Sequence, residues 1–315
     1  QCMTLNKVAI LSPGAMGHAV GRVLAEHGVD IMTCLAGRSE RTHRLASAAG
    51  FTEIPTLEDL VCEADLVLSI LVPVDAEAIA CQLAGALKAT GAQPYIADCN
   101  AISPMRSAKI ETIIQSAGGR FIDASIIGPP PGQGAPPRFY VSGIHAEVML
   151  PLDGKGIVVK SLGETIGRAS GIKMCYAALT KGTSTLQVAL LTAAESMGLT
   201  EELRQELAYS QAAALQSMES TIPRLPPNAH RWVGEMEEIA STFAKVGVTS
   251  HFHLGAAAIY RLLEATSFAN ESPETIDSQR TLARTIEAAV AQLPRECESH
   301  PEEGAGSNTA GERLK

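Results

Sequence analysis

Short apolar runs alternate with amphipathic stretches through the first half of the chain. Runs at Lys7–Leu11, Val29–Leu35 and Leu66–Leu71 predict strands, and Ala15–His27 predicts a helix between the first two. Further strands are predicted at Tyr95–Ala97, Phe121–Ile127 and Phe139–Ser142, and further helices at Arg41–Ala49, Ala76–Lys88 and Ser103–Ser116. Strands that alternate with helices of about 10–15 residues are typical of parallel βαβ units. Because the strands are apolar throughout, we expect helices to cover both faces of the sheet.

From residue 166 onward the pattern is helical almost to the end of the chain. Helices are predicted at Gly171–Met197, Glu201–Met218, Trp232–Val246, Gly255–Glu264 and Ser278–Leu293. Pro-rich Ile222–Pro227 is predicted to be a linker, and residues 296–315 have the Glu, Gly and Ser content of a disordered tail. The sequence therefore predicts an α/β domain over residues 1–165 and an all-α domain over residues 166–295. A long interdomain helix is expected to join the two domains.

Charge and composition exclude several classes of protein. The chain has 315 residues, with 25 Lys and Arg against 34 Asp and Glu, so its formal net charge is −9. We therefore expect no nucleic-acid or membrane partner, and Leu66–Val74, the longest apolar stretch, is shorter than the about 20 residues that cross a bilayer. Scattered cysteines without a CxxC pair, and no signal peptide, predict a cytoplasmic protein. His251 and His253 would suit a metal on a strand, but with no third ligand we predict no metal site.

The clearest motif ends the first predicted strand and begins the first predicted helix. Its residues are Ser12, Pro13, Gly14, Ala15, Met16 and Gly17. They match the dinucleotide fingerprint G-x-G-x-x-G, with Ser12 in place of the first glycine. Gly14 would let the backbone approach a pyrophosphate, and amides at the helix N-terminus would bind its charge. The motif predicts a doubly wound Rossmann domain that binds a dinucleotide; the alternative is a glycine turn that binds none.

The segment after the second predicted strand indicates which dinucleotide binds. An Asp or Glu there would hydrogen-bond a ribose 2′-hydroxyl and repel a 2′-phosphate. The chain instead has Gly37, Arg38 and Ser39, with Arg41 and Arg44 close behind. A guanidinium binds a phosphate through two charge-assisted hydrogen bonds, and a hydroxyl can add a third. The segment therefore predicts NADP(H) as the cofactor, unless these arginines form only a solvated helix face.

These motifs resemble those of the β-hydroxyacid dehydrogenases and 6-phosphogluconate dehydrogenase-like proteins, over roughly residues 8–260. The resemblance includes the fingerprint, the segments Asp65–Pro73, Asp98–Pro104 and Asp123–Gly128, and Gly167 six residues before Lys173. It implies a Rossmann domain, a long interdomain helix and a helical second domain, which in such proteins commonly forms a homodimer. Residues 229–239 are similar to those of a subgroup whose C-terminal domain has no assigned function.

The resemblance also implies roles for individual residues. Lys173 would be the general acid that protonates a carbonyl oxygen while the cofactor supplies hydride. Shelter between the domains would lower the pKa of Lys173; the alternative is a surface lysine on an amphipathic helix. Cofactor contacts would come from Leu71, Val72, Pro73 and Asn100, and substrate contacts from Ser103, Ile127, Gly128 and Pro129. For Asn100 and Ser103 a plain loop role is the alternative.

The chain departs from the family at the substrate end. The family's Asn after the lysine is replaced by Tyr176 and Ala177, and its Ser-Gly-Gly loop by residues 127–132. Tyr176 would hydrogen-bond the substrate in place of that Asn, or would be a packed tyrosine with its hydroxyl at the surface. The family's Lys-Asp pair in the second domain falls on Gly234 and Glu235. The identity of the substrate therefore stays open.

Two further groups are candidates for the substrate site. Lys181 lies two turns beyond Lys173 and would lower the pKa of that lysine or bind an anionic substrate. Trp232 and Glu235 would form a wall of the substrate pocket. The alternative is an exposed ion pair between Arg231 and Glu235, at i and i+4, beside a core tryptophan.

Taken together, the sequence predicts an NADPH-dependent reductase that acts on a ketone, an aldehyde or a keto acid. In reverse it would oxidise a hydroxyl group, with Lys173 as the base. An imine reductase is an alternative, although imine-reducing relatives often lack the lysine. An alternative of another class is a non-catalytic NADP(H)-binding module that senses redox state or docks a partner. The expected partners are a small-molecule substrate and a second copy of the chain.

Overall fold

Eight strands form one sheet in the computed structural model, which describes residues 5–272 and 275–294. The strands are β1 (Lys7–Leu11), β2 (Asp30–Thr33), β3 (Thr52–Glu53), β4 (Leu66–Ser69), β5 (Tyr95–Asp98), β6 (Arg120–Ile127), β7 (Arg138–Ser142) and β8 (Val158–Ser161). Their order is β3-β2-β1-β4-β5-β6-β7-β8, and β1 to β6 are parallel. This is the order of a doubly wound Rossmann sheet, so the predicted fold class is confirmed.

The last two strands depart from the predicted parallel arrangement. β7 is antiparallel to β6, and β8 is parallel to β7. The link between β6 and β7, residues 128–137, is rich in proline and glycine and contains no helix. A parallel neighbour would need a crossover connection of a dozen or more residues, so this short link returns the chain in the opposite direction. β3 and β8 are strands that the sequence pattern did not indicate.

Helices cover the sheet, and side-chain caps fix where several of them begin. They are α1 (Ala15–Glu26), α2 (Glu40–Ala48), α3 (Leu57–Glu63), α4 (Ala76–Thr90) and α5 (Pro104–Gln115). Ser39, Thr56 and Ser103 each accept a hydrogen bond from the backbone amide three residues on, and so begin α2, α3 and α5. α3 was missed by the sequence prediction because its seven residues are too short for a clear period.

The second half of the chain is helical, as predicted, but with different boundaries. The helices are α6 (Arg168–Ser196), α7 (Thr200–Ser210), α8 (Ala212–Thr221), α9 (Ala229–Lys245), α10 (His251–Glu264) and α11 (Leu282–Val290). The single helix predicted over residues 201–218 is wrong, because the backbone leaves the helical region at Gln211 and separates α7 from α8. The predicted linker at residues 222–227 instead forms two 3-10 turns with buried Ile222 and Leu225. The predicted tail lies outside the described residues.

The apolar cores follow the two halves of the chain. One cluster packs on each face of the sheet, around Leu68 and around Val67, and a third fills the helical part around Tyr260 and Met236. Leu68 and Val67 are adjacent, so their opposite burial follows from the alternation of side chains along a strand. Among the described helices, none is long and apolar enough to cross a membrane.

A buried carboxylate fixes the long helix α6 against the sheet. Asp123 lies on β6 and is 1% exposed. Its Oδ2 accepts hydrogen bonds from the amides of Gly167, Ala169 and Ser170 at 2.9–3.2 Å, which are unpaired donors at the start of α6. The hydroxyls of Ser107, Ser142 and Ser170 also donate to this carboxylate. Asp123 therefore acts as a helix cap supplied from a distant strand, and it sets which face of α6 meets the sheet.

A second contact joins the two halves of the chain through α9. Glu238 accepts hydrogen bonds from the Ser103 amide at 2.7 Å and from Arg106 Nη1 at 2.8 Å. Both partners lie at the start of α5, directly after the turn that follows β5. The first helical turns of α6 and the middle of α9 are therefore held beside the carboxyl ends of the parallel strands, where ligands bind in such sheets.

Candidate active site

A cleft of about 280 Å³ lies between the carboxyl ends of β1, β4, β5 and β6 and the helices α6 and α9. Its lining includes thirteen of the predicted site residues: Ser12, Gly14, Ala15, Met16, Gly17, Leu71, Val72, Pro73, Asn100, Lys173, Lys181, Trp232 and Glu235. Ile70, Cys99, Ala101, Ile126 and Arg231 complete it. The cleft lies at the carboxyl ends of the neighbouring strands β1 and β4. The strand order reverses between these two strands, which makes this the topological switch point of the sheet. Residues from both halves of the chain thus meet in one site.

The wall formed by the fingerprint suits a pyrophosphate. Ser12 has φ +56, a left-handed conformation in which the fingerprint normally has glycine. A Cβ on Gly17 would lie 3.2 Å from Ile10 Cγ2, so glycine permits the close packing of α1 on β1. No side chain among the described residues caps α1, which begins after Gly14. The first amides of α1 thus stay available to an anion in the cleft. Pro13 is buried beside this wall rather than lining it.

The tip of β2 lies beside a second depression of about 420 Å³, lined by Leu11, Arg38, Leu57 and Ile79 among others. Gly37 has φ +72, which permits the tight turn that aims Arg38 toward this depression. Ser39 caps α2, since its Oγ accepts a hydrogen bond from the Thr42 amide at 3.3 Å. Leu11 ends β1 just before the fingerprint, so this depression continues from the pyrophosphate wall.

Asn100 braces the floor of the cleft. Its Oδ1 accepts a hydrogen bond from the Leu71 amide at 2.6 Å, and its Nδ2 donates to Ser69 Oγ and Asp98 Oδ2. These bonds link the ends of β4 and β5. Burial raises the pKa of Asp98 to about 7, although its hydrogen bonds with Asn100 oppose this shift. The sequence did not single out Asp98; its place just before Asn100 at the end of a strand is the signal that would have found it.

Lys173 extends from α6 to the end of β6. Its Nζ donates a hydrogen bond to the carbonyl oxygen of Ile126 at 2.8 Å. The ammonium therefore lies at the edge of the sheet, in the same cleft as the fingerprint. Ile127, Gly128 and Pro129, predicted as substrate contacts, follow this carbonyl in the chain but are not part of the cleft lining.

Lys181 and Glu235 form an ion pair across the helical wall of the cleft, joining α6 to α9. Lys181 Nζ also lies 5.5 Å from the centre of the Trp232 ring, which packs on Tyr260. Burial and, to a smaller extent, the charge of Lys173 lower the pKa of Lys181 to about 8, although Glu235 opposes the shift. Burial alone would raise the pKa of Glu235, but the cations around it together lower it. Glu235 is therefore a buried carboxylate that stays ionised.

This pairing corrects one alternative from the sequence. Glu235 pairs with Lys181, eight residues from Lys173 on α6, and not with Arg231 one turn away on its own helix. Arg231 lines the cleft, and burial lowers the pKa of its guanidinium, as does the nearby charge of Arg41 on α2. Arg41 lies at the start of α2, just after the β2 tip, so two cations from the two halves of the chain influence each other here.

Tyr176 and Ser103 lie elsewhere. Tyr176 is 44% exposed on the outer side of α6 and does not line the cleft. At about 100° per residue, Tyr176 and Lys181 fall on opposite sides of Lys173, and only the Lys181 side faces the cleft. Ser103 caps α5 and is not a lining residue.

His251 and His253 lie on a helix, not on a strand. Positions i and i+2 of a helix point in nearly opposite directions, and here His251 is exposed while His253 packs against the Phe243 ring at 4.7 Å. Within residues 5–272 and 275–294, no group of three or more His, Cys, Asp and Glu side chains is placed to hold a metal ion.

The structure combines a Rossmann sheet, a glycine turn that no described side chain caps and, between the sheet and the helices, a cleft that Lys173 lines. This is the architecture of a two-domain oxidoreductase of the NAD(P)-dependent type. Residues 7–149 match the NAD binding domain of 6-phosphogluconate dehydrogenase, and residues 194–263 match a domain of unknown function, DUF1932. The chain belongs to the family of 6-phosphogluconate dehydrogenase-like proteins with this C-terminal domain, related to the 3-hydroxyacid dehydrogenases. This confirms the resemblance inferred from the motifs.

Relatives of known structure share the whole architecture. The conserved protein MTH1747, of unknown function and described as structurally similar to 3-hydroxyacid dehydrogenases, is 30% identical, with a TM-score of 0.60 over 82% of this chain and 96% of that chain. A 3-hydroxyisobutyrate dehydrogenase of Mycobacterium tuberculosis, solved with L-serine, is 17% identical, with a TM-score of 0.62 over 90% and 99% of the two chains. At that identity the second similarity shows the fold alone.

A curated relative is similar over a shorter stretch. An uncharacterized 28.5 kDa protein in the 7S RNA 5′ region of Methanothermus fervidus is 29% identical over 175 residues. The match covers 56% of this chain and 66% of that protein, slightly less than two thirds of its length.

Proposed function

We propose that this protein is an NADPH-dependent reductase that transfers hydride between the nicotinamide and the carbon of a carbonyl group, and that runs in reverse as a dehydrogenase of hydroxyl groups. One observation carries the proposal: Lys173 lines the same cleft as Ser12 and Gly14–Gly17 of the fingerprint. The cofactor, when bound, supplies or accepts the hydride. The protein supplies the binding walls and the proton.

Lys173 is the proposed proton donor. Its Nζ is held by the Ile126 carbonyl oxygen at the edge of the sheet, which orients the ammonium beside the nucleotide wall. A carbonyl oxygen that gains negative charge during hydride addition would take its proton from this ammonium. In the reverse direction the neutral amine would accept the proton of a hydroxyl group. Lys181, two turns further along α6, adds positive charge beside it.

NADP(H) is the proposed cofactor. Arg38 lines the depression at the β2 tip, and Gly37 and Ser39 shape the turn that carries it. A guanidinium at this position would bind the 2′-phosphate bidentately. Arg231 lines the cleft from the helical side and would add positive charge near the pyrophosphate.

Trp232, the single tryptophan, lines the cleft and so reports on binding. We expect NADPH to quench its fluorescence with a dissociation constant in the range of about 1–100 µM, and NADH to bind more weakly; calorimetry checks both values. Cofactor binding without turnover on a broad panel of carbonyls, alcohols and imines would favour the non-catalytic alternative. No binding of either nucleotide would overturn the whole proposal.

The lysine is tested by Lys173→Met. Loss of a general acid typically costs about 100-fold or more in rate, so kcat should fall by at least that factor while NADPH affinity stays within about threefold of wild type. Lys245→Met, on the exposed end of α9, is the matched control. Wild-type kcat in Lys173→Met would exclude the proposed role.

We further propose that the protein is a homodimer that associates through its helical half. Tyr176, Leu179 and Leu186 form an exposed stripe on α6, beside exposed Phe252 on α10. Leu179, Leu186 and Phe252 line an apolar groove of about 590 Å³. His253 lines this groove, and its Nδ1 has no hydrogen-bond partner among the described residues. A second copy would cover the apolar stripe.

A further inference from the structure

The cleft contains a buried acceptor to which none of the described residues donates a hydrogen bond. Glu235 is 4% exposed, and its Oε2 accepts the hydrogen bond from Lys181. Its Oε1 is shielded from water and has no hydrogen-bond partner among the described residues. A buried carboxylate oxygen without a donor destabilises the protein, so a ligand that brings an N–H or O–H to Oε1 binds more tightly than one that does not. Glu235 is one of the residues that line the cleft, so a ligand there lies beside this side chain, and a turn of the carboxylate would present Oε1 to it.

The charges around Glu235 indicate what kind of ligand brings this donor. The ligand is an anion, and the group that donates to Oε1 is itself neutral. Of the described residues that line the cleft, Lys173, Lys181 and Arg231 are cationic, and Glu235 is the one carboxylate. This excess of positive charge attracts a carboxylate substrate and disfavours a substrate that carries an ammonium group. A hydroxyl group donates to Oε1 without adding charge.

The position of Glu235 assigns the donor to the substrate. The fingerprint and residues 70–73 form the nucleotide wall, whereas Glu235 lies on the opposite wall with Lys181 and Trp232. Lys173, the proposed proton donor, lines the same cleft and donates a hydrogen bond to the Ile126 carbonyl oxygen. A substrate that reacts at Lys173 would therefore lie between the nucleotide wall and the opposite wall, which carries Glu235.

We infer that Glu235 is a specificity-determining residue: its Oε1 accepts a hydrogen bond from a second hydroxyl of the substrate, next to the group that reacts. This inference rests on the proposed function and narrows it. The substrates are carboxylates with a reacting carbonyl or hydroxyl and a neighbouring free hydroxyl. Substrates that lack this hydroxyl leave the buried oxygen without a partner and bind more weakly.

The test compares two acids that differ by one hydroxyl. Glycerate, as each enantiomer, and 3-hydroxypropanoate are titrated by calorimetry into the NADPH-loaded protein, in which neither acid can be oxidised. We expect one glycerate enantiomer to bind at least about tenfold more tightly, since hydrogen bonds to charged groups are the strong ones. In Glu235→Gln the ratio should fall below about threefold, because the acceptor loses its charge.

Controls separate the possible outcomes. Glu237→Gln makes the same change on the exposed side of α9 and should keep the wild-type ratio. In the 2-O-methyl ether of glycerate the oxygen at position 2 can accept but cannot donate a hydrogen bond, so this acid should bind the wild type no better than 3-hydroxypropanoate. This comparison decides the matter if Glu235→Gln does not fold. Equal or absent binding of the two acids to wild type would overturn the inference. An unchanged ratio of the two affinities in Glu235→Gln would also overturn the inference. If that variant in addition bound NADPH more weakly, the donor to Oε1 would belong to the cofactor and not to the substrate. The proposed function fails separately, by absent NADPH binding or Lys173-independent turnover.

Discussion

At the scale of single residues, the nucleotide site depends on backbone conformation and on one cation at the β2 tip. Ser12 adopts the left-handed conformation despite its Cβ, which shows that the turn geometry is imposed by the strand and helix on either side. Arg38 contributes to the site in a different way from Ser12, because it supplies a positive charge and not a backbone conformation. The two residues therefore make separable contributions: the turn admits a dinucleotide, and the guanidinium selects among dinucleotides.

Replacing Arg38 by Asp should reverse the cofactor preference. The carboxylate would repel a 2′-phosphate and accept a hydrogen bond from a ribose 2′-hydroxyl. We expect the ratio of the NADPH to the NADH dissociation constant to rise by at least about tenfold, measured by Trp232 quenching. Arg44→Asp makes the same charge change on the exposed side of α2 and should alter the ratio far less. An unchanged ratio in Arg38→Asp would refute its role.

Substrate binding should depend on pH through Lys181. Burial lowers its pKa to about 8, opposed by Glu235 and reinforced by Lys173, while Arg231 also faces the pair. Lys181 is cationic below that pH and neutral above it, so the affinity for an anionic substrate should fall as pH rises from 7 to 9.5. Calorimetry with glycerate checks this, and Lys181→Gln should flatten the profile. A flat wild-type profile would contradict the expectation.

At the scale of secondary-structure elements, α6 is the helix on which the site depends. Asp123 caps its first turn from β6, and Lys173 and Lys181 then face the cleft. The helix runs without a break through Gly182, where a Cβ would make an ordinary van der Waals contact with His253 Cε1 at 3.9 Å, so α10 packs against α6 at this point. The cap and the packing together fix the rotation of α6, and that rotation decides which side chains reach the substrate.

Asp123→Asn should therefore destabilise the protein strongly. The amide keeps the shape but presents an NH₂ group to amide and hydroxyl donors in a buried place. We expect the free energy of unfolding, from urea titration, to fall by about 3 kcal/mol. Asp30→Asn, at the exposed start of β2, should change it by less than about 0.5 kcal/mol. A similar effect in both variants would exclude the capping role.

At the scale of the whole molecule, the exposed apolar stripe on α6 and α10 is the proposed dimer contact. Leu186 is 65% exposed within it, so Leu186→Glu should give a monomer by analytical ultracentrifugation where wild type sediments as a dimer. Ile144→Glu, at a 68% exposed apolar residue of the Rossmann domain, should leave the dimer intact. A wild-type monomer, or a dimer that survives Leu186→Glu, would overturn this proposal.

Much of the fold follows from local patterns. The alternation of apolar strands with helices and the fingerprint turn are each encoded within a few dozen residues, so the parallel part of the sheet and its nucleotide wall were predictable. The direction of β7, the presence of β8 and the break at Gln211 were not, because strand pairing and helix breaks depend on partners distant in sequence.

The sequence by itself determined the Rossmann fold, the glycine turn and the lysine at the start of the long helix, since spacing along one element places them. Only the tertiary structure decided the remainder of the site. In the folded protein Tyr176 is exposed on the outer side of α6, Glu235 pairs with Lys181 and not with Arg231, and Glu235 Oε1 has no donor in the part of the chain that the structure describes. Each of these depends on the rotation of α6 against α9, which is set by the Asp123 cap and by packing between elements far apart in the chain.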